Sequence, residues 1–435
     1  MERTTASSGN SPSRAGRLST LFTGMLVLLI FAPLAAALPS DASSGRPPGA
    51  ARLPIMTWPG PGASLLNPDT LRLVAEAGFS VNMSFLGSRE ANLKALDLAK
   101  AAGLALMVQD DRVSKILEDP SLPLEGLAGV AADYARHPAL YGYFVTDEPN
   151  AGKFERLGAI VARLKTLDPW HPVYINLFPT YANEAQLGTP TYEEHVRRFL
   201  ETVRPPFLSF DHYPVTETGL RPDYYRNLEI VRAMAAARGL DLWAFALVTP
   251  HAVYPPPTAG HVRLQLWSDI AYGAKALQYF TFATPEGTDY RWGSGLIDKS
   301  GRPGPAYGIA RAVNAEIRRI EGLVLGWTSL AVYHTGPLPL GTLPPGPDSP
   351  VLGASGTPLV VGVFTDGSAR YVVLVNRDHE RPGSVVVRFA PGVAEARELQ
   401  VGDRRPARTR WPDDRRDHLC ALDLEPGEGR VFQLR

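Results

Sequence analysis

The chain has 435 residues, with 44 Lys plus Arg against 44 Asp plus Glu, so its formal net charge is zero. That balance removes the electrostatic reason to expect nucleic acid or an anionic membrane surface as partner. A single cysteine, Cys420, excludes an intrachain disulfide and a cysteine-based zinc site, and the length exceeds that of one small domain.

At the N-terminus Arg3, Arg14 and Arg17 precede an apolar run over residues 21–33, and Ala35 and Ala37 form an A-x-A-like cleavage site. This is the pattern of a secretory signal peptide over residues 1–37; the run is shorter than the ~20 residues a spanning helix needs. The expectation is a secreted or periplasmic protein with no stable membrane insertion after cleavage. A Ser/Gly/Pro-rich flexible leader covers residues 38–52.

From Leu53 short apolar or aromatic runs alternate with helical patterns. The runs cover residues 53–58, 79–85, 104–109, 140–146, 172–178, 207–213, 242–248 and 277–282. Between them, helical periodicity covers 69–77, 90–102, 154–167, 192–203, 224–238, 261–276 and 302–320. Asn67-Pro68 supplies a cap and a first-turn proline, and Gly78 a stop. This alternation predicts an α/β fold, a (β/α)8 TIM barrel over residues 53–323. An open doubly wound sheet is the competing arrangement. The first run, however, leads into Pro59-Gly60-Pro61-Gly62, whose prolines remove the amides a phosphate cradle needs.

Beyond residue 323 the pattern changes. Residues 336–356 are Pro/Gly-rich and read as a loop. Alternating strands follow at 359–364, 369–375, 384–389 and 429–434, with Asp366-Gly367 as a hairpin turn. Residues 324–435 are thus expected to form a small antiparallel β-sandwich packed against the barrel, with Cys420 as a buried filler.

The fourth run ends in Thr146-Asp147-Glu148-Pro149. Proline cannot donate to a sheet ladder, so the strand stops there and leaves two carboxylates where barrel enzymes place their chemistry. An acid pair opening a helix is the plainer reading. The other strand ends offer Trp58, Asn82, Ser84, Gln109, Asp110, Asp111, Asn150, Asn176, Asp211, His212, Tyr213, Trp243, Thr249, His251, Tyr279 and Thr281. Glu286, Asp289 and Trp292 lie in the last loop. Carboxylates and amides suit sugar hydroxyls, and aromatic faces suit pyranose rings. The candidate catalytic residues are Glu148, Asp211 and Asp147. The candidate substrate-binding residues are Trp58, Asn82, Asn176, His212, Tyr213, Trp243, Tyr279 and Trp292. No cofactor is called for. A metal is not expected either, because the neighbours Asp211 and His212 would face opposite ways along a strand.

The barrel resembles the glycoside hydrolases of clan A, which include β-galactosidases of family 42 and cellulases of family 5. The resemblance rests on Thr146-Asp147-Glu148-Pro149, on Ser209-Phe210-Asp211-His212-Tyr213-Pro214, and on residues 271–280 entering strand 8. It implies a carbohydrate substrate, Glu148 as acid/base and Tyr213 as the strand-6 aromatic residue. The clan has an asparagine before its acid, where Asp147 stands here. Its nucleophile is a glutamate ending strand 7, and residues 242–251 contain no carboxylate.

Three mechanisms follow. Glu148 is the acid, with Asp211 or a loop acid such as Glu286 as its partner. Alternatively, an N-acetylated substrate supplies its own nucleophile, with Asp147 orienting it, as the adjacent acids resemble those of substrate-assisted hexosaminidases. In the third, the barrel binds glycans, or serves structurally, without hydrolysis. Either catalytic reading requires a raised Glu148 pKa, expected from burial among Tyr143, Tyr213 and Trp243 and from repulsion by Asp147.

Overall fold

In the computed structural model, which describes residues 52–402, 406, 408–411 and 418–435, eight parallel strands close into a barrel. They are β1 (Ile55–Thr57), β2 (Val81–Gly87), β3 (Ala105–Asp110), β4 (Leu140–Asp147), β5 (Val173–Leu177), β6 (Phe207–Phe210), β7 (Asp241–Leu247) and β8 (Ala274–Phe280). The barrel closes where Ile55 of β1 pairs with Leu277 of β8, while Met56 pairs with Val81 of β2. The expected signal peptide and all of the leader but Arg52 lie outside the described residues. Among the described residues no helix is long and apolar enough to cross a membrane.

Alternation along each strand separates two cores. Outward residues such as Leu106, Ile175, Leu208 and Leu277 meet the surrounding helices. Inward residues fill the barrel with Met56, Met83, Met107, Tyr174, Phe207, Trp243 and Phe245. The interior is a packed aromatic core rather than a pore, with Phe207 and Trp243 stacked at 3.9 Å.

The helices follow the expected alternation, with two differences. The β3–β4 crossover contains α3 (Asp111–Glu118) and α4 (Leu127–Tyr134), which the periodicity did not reveal, because a stretch with Pro120 and Pro123 divides it into two short pieces. The helix before β8 (α8, Ala259–Ala271) ends five residues before the expected stop at Ala276. Gly273, at φ 91°, turns the chain into β8 at Ala274.

The C-terminal region is two antiparallel sheets facing each other. The larger has the order β9 (Thr328–His334), β11 (Leu359–Thr365), β12 (Arg370–Asn376), β17 (Gly429–Leu434), β14 (Glu395–Glu398) and β15 (Arg408–Arg410). The smaller has β10 (Val351–Gly356), β13 (Gly383–Phe389) and β16 (His418–Leu424). Val361, Val363, Val372, Leu374 and Phe432 of one sheet pack on Val385, Val387, Phe389, Leu422 and Leu424 of the other. Cys420 is buried in this layer. The expected loop over 336–356 is corrected at its end: Val351–Gly356 pairs with β13, its register shifted by a bulge.

The outer face of the larger sheet lies on α8. Val262, Leu264, Leu266, Trp267 and Ile270 are all buried there, because α8 has β7 and β8 on one side and this sheet on the other. The approach requires glycine: a Cβ on Gly429 would sit 2.1 Å from the Trp267 ring, and one on Gly362 2.4 Å from the Ala271 carbonyl oxygen. Gly429→Ala is expected to lower stability by about 1–3 kcal/mol, measured by urea unfolding. An unchanged midpoint would mean that the seam yields.

Candidate active site

Register brings the polar residues of the mouth together. Asp147 of β4 pairs with Asn176 of β5, and Asn176 with Ser209 of β6. Asn176 is buried and fully used. Its Nδ2 donates to Asp147 Oδ1 at 3.1 Å and to Asp211 Oδ1 at 2.9 Å, and its Oδ1 accepts from Ser209 Oγ at 2.9 Å. Gln278 Nε2 of β8 donates to Ser209 Oγ at 3.0 Å. This relay sets the orientation of the Asn176 amide and aims its two donors at two carboxylates.

Neighbours on a strand face opposite ways, yet Asp147 and Glu148 both reach this cluster. The backbone explains it. Glu148 has φ 44°, in the left-handed region that non-glycine residues rarely occupy, and its N–H donates to the Asn176 carbonyl oxygen at 2.9 Å. That turn brings the Glu148 carboxyl beside Asp211, near the Tyr213 ring, so that the two carboxyls act directly on each other's ionisation.

Three carboxyls in one concavity resist ionising together. Burial pushes the Glu148 carboxyl up to about 9, aided by repulsion from Asp211 and Asp147. Burial also raises Asp211, but hydrogen bonds from Asn176 and Tyr213 hold its anion and limit the rise. Asp147 is raised by its enclosure and then by Asp211. Its side chain nevertheless opens to the cleft, where water screens part of the effect. The group holding its proton most tightly is Glu148, as general-acid work requires. The cause differs from the expectation in part: Tyr213 is a neighbour, whereas Tyr143 faces outward and donates to Asp168 Oδ2 at 2.6 Å, and Trp243 lies in the barrel interior.

The other candidates divide by the face they occupy. Trp58 stands at the mouth, edge-on to Phe85, Phe144 and Phe245, with its buried Nε1–H unpartnered. Trp292 packs on His251 at 4.6 Å and on Phe280, which in turn meets Tyr213 and Trp58. Trp58, Tyr213, Phe280 and Trp292 thus make an aromatic wall beside the carboxyls.

Asn82, His212, Trp243 and Tyr279 are placed elsewhere. Asn82 is fully buried, accepting from Thr57 Oγ1 at 2.9 Å and donating to Ser84 Oγ at 3.0 Å. The buried His212 turns away from Asp211, toward Tyr181 and Tyr224, with Nε2 3.5 Å from Asp223 Oδ1. Trp243 has no exposure. Tyr279 faces helix α9 (Tyr307–Arg318) and donates to Asn314 Oδ1 at 2.7 Å.

Asp110 and Asp111 are structural too. Asp110 caps α3 and pairs with Arg112 and Tyr134, and Asp111 accepts from Gln109. Glu286 is exposed. At the end of β7 the inward residue is Leu247, buried against the barrel interior. Among the described residues no group of three or more His, Cys, Asp or Glu is arranged to hold a metal ion.

Several mouth residues carried no signal in the strand pattern. Gln278 and Phe280 are the inward residues of β8, legible only once its register is known. Arg221, Tyr181 and Tyr254 come from loops. The Arg221 guanidinium lies 4.4 Å from the Tyr181 ring centre and donates to the Tyr254 hydroxyl at 3.2 Å.

No family model matches the chain, and no curated protein sequence matches it. The fold is similar to that of solved glycoside hydrolases. A β-galactosidase from Bacillus circulans sp. alkalophilus superposes with a TM-score of 0.61 at 8% identity, over 88% of this chain and 99% of that one. A family 5 glycoside hydrolase from Bacteroides vulgatus gives 0.57 at 11% identity over 88% of each chain. A family 42 β-galactosidase from G. stearothermophilus gives 0.54 at 10% identity, over 91% of this chain and 100% of that one. The chain spans 60% and 58% of the length of β-galactosidases from Marinomonas ef1 and Halorubrum lacusprofundi. At these identities the likeness is one of fold: the chain shares the eight-stranded parallel barrel of glycoside hydrolases of families 42 and 5.

Proposed function

We propose that the protein is an exported glycoside hydrolase with Glu148 as its general acid, and that the substrate's own 2-acetamido group is the nucleophile. One observation carries this reading. The acids Asp147, Glu148 and Asp211 stand together on β4 and β6, and Leu247 occupies the end of β7. A retaining pair needs carboxyls about 5–5.5 Å apart and an inverting pair about 6.5–9.5 Å apart, with the sugar between them. Asp211 raises Glu148 by charge repulsion, and this reading takes the two as one acid and its tuning partner rather than as two flanking groups.

In this mechanism the Glu148 carboxyl gives its proton to the glycosidic oxygen as the C1–O bond breaks. The acetamido oxygen bonds to C1 from the other face and closes an oxazoline. Asp147, open to the cleft and held by Asn176, accepts the acetamido N–H proton. Water then attacks C1, Glu148 takes back a proton, the ring opens and Asp147 returns its proton to nitrogen. Asp211 keeps Glu148 protonated between turnovers.

The test is hydrolysis of paired aryl glycosides that differ only at C2, acetamido against hydroxyl. Cleavage confined to the acetamido series is expected. Cleavage of the hydroxyl series alone would remove the substrate-assisted mechanism and keep a hydrolase. Inertness toward every sugar, with binding retained, would leave a carbohydrate-binding barrel, the reading that the missing acid at the C-terminal end of β7 favours.

A further inference from the structure

Beside the carboxyl cluster stands Arg221, a cation with no ion-pair partner among the described residues. Arg221 follows the hairpin Val215–Thr216/Gly219–Leu220 after β6, and its N–H is fixed to the Pro214 carbonyl oxygen at 2.8 Å. Its guanidinium is stacked 4.4 Å over Tyr181 and lies 5.7 Å from Tyr254. One terminal nitrogen donates to the Tyr254 hydroxyl at 3.2 Å.

The other donors are not spent on protein acids. Among the described residues no carboxylate pairs with Arg221, and its buried Nε–H has no partner. Glu217, on the same rim, is exposed and forms no ion pair with it. A planar fork held by aromatic rings, with free N–H groups, matches the geometry of a carboxylate or sulfate. Arg221 also lines an open cleft of about 340 Å³ together with the hairpin, Pro222 and Val253.

The site communicates with the acids. Tyr254 meets Tyr213 edge-on at 5.8 Å, and Tyr213 lies close enough to Asp211 to act on its ionisation. Arg221 therefore lies two aromatic rings from the reacting position, where a neighbouring sugar of the same chain would lie.

We infer that Arg221, Tyr181 and Tyr254 form an anion subsite and that the substrate is an acidic glycan, in which the 2-acetamido sugar being cleaved adjoins a residue bearing a carboxylate or sulfate. The inference rests on the glycoside hydrolase reading above. The subsite adds charge selectivity: Glu148 is neutral in the resting site, and Arg221 offsets the negative charge of Asp211 for an incoming anion.

The experiment uses the full chain carrying Glu148→Gln, titrated calorimetrically with three tetrasaccharides. Hyaluronan tetrasaccharide carries carboxylates, keratan sulfate tetrasaccharide carries sulfates, and N-acetylchitotetraose is neutral. At least one anionic probe is expected to bind roughly 10-fold or more tighter than chitotetraose. Adding Arg221→Gln should remove roughly 10- to 100-fold of that affinity and leave chitotetraose unchanged. High salt should narrow the difference. A gain for hyaluronan alone assigns a carboxylate, and a gain for keratan sulfate alone assigns a sulfate.

Arg221→Lys retains the charge without the planar fork. It should lose part of the gain, and it serves if Arg221→Gln fails to fold by thermal melt. Equal binding of all three probes, or anionic binding unmoved by both variants, overturns the subsite. So does failure of all three probes to bind when the wild-type chain cleaves other glycosides. Only a chain that neither binds nor cleaves any sugar brings down the hydrolase reading as well.

Discussion

Glu148→Gln is expected to lower kcat on a cleavable glycoside by roughly 10²- to 10⁴-fold, the usual contribution of a positioned general acid. The amide keeps the size of the side chain and its place beside Asp211 but has no proton to give at the glycosidic oxygen. The same variant carries a stability signature of opposite sign. Burial raises the folded-state pKa of Glu148 to about 9, so the carboxyl favours folding while protonated, below its unfolded value near ~4.3. That contribution is lost as pH rises toward 9, because ionisation then adds a third negative charge beside Asp147 and Asp211. Glu148→Gln should therefore melt about 1–3 °C above wild type at pH 9, with the difference vanishing near pH 4. Loss of activity without this pH-dependent gain would mean that Glu148 ionises normally and that the contact with Asp211 is not maintained in solution.

Asp211→Asn tests how the acid is tuned. Asp211 acts through Glu148, by repelling its ionised form. The variant should move the alkaline limb of the kcat profile toward acid by about one unit or more. The limb should stay above ~4.3, because burial, the larger cause, persists. Activity near pH 5 should survive better than activity near pH 8. A uniform loss at every pH, with the limb in place, would assign Asp211 to holding Asn176 and Tyr213 rather than to setting the proton affinity of Glu148.

The barrel was legible because strand and helix periods differ so clearly along the chain. A run such as Tyr141 to Val145, buried on both faces, and a stripe such as Leu157, Ile160, Val161 and Leu164 cannot exchange roles. Less legible was the β3–β4 crossover, where α3 and α4 are each eight residues long and separated by a Pro-containing turn. On the smaller sheet β13 was visible in the sequence, but β10 and β16 were not. Val351–Gly356 has little apolar alternation and is fixed by its partner β13.

At the site, the acids Asp147, Glu148 and Asp211 were identifiable from residue type and position, whereas Asn82 and Tyr279 were not assignable. Tyr279 sits near the end of β8, whereas Asn82 is the second residue of β2, and a shift of one residue exchanges the two faces of a strand. Tyr279 consequently meets Asn314 on the helix side, and its neighbour Gln278 enters the lumen.

By itself the sequence determined the alternating architecture, the stop at Pro149 that leaves two acids on a strand end, and the absence of an acid from the C-terminal end of β7. Each of these depends on local period or on the identity of a residue. Tertiary structure decided which acids meet. The left-handed turn at Glu148 and the β4–β5–β6 register join residues up to 64 positions apart (147 to 211) into one cluster around Asn176. It also decided that Arg221 stands against Tyr181 and Tyr254 with no ion-pair partner among the described residues. Those outcomes depend on barrel closure and loop packing, which place groups by long-range geometry that no local pattern encodes.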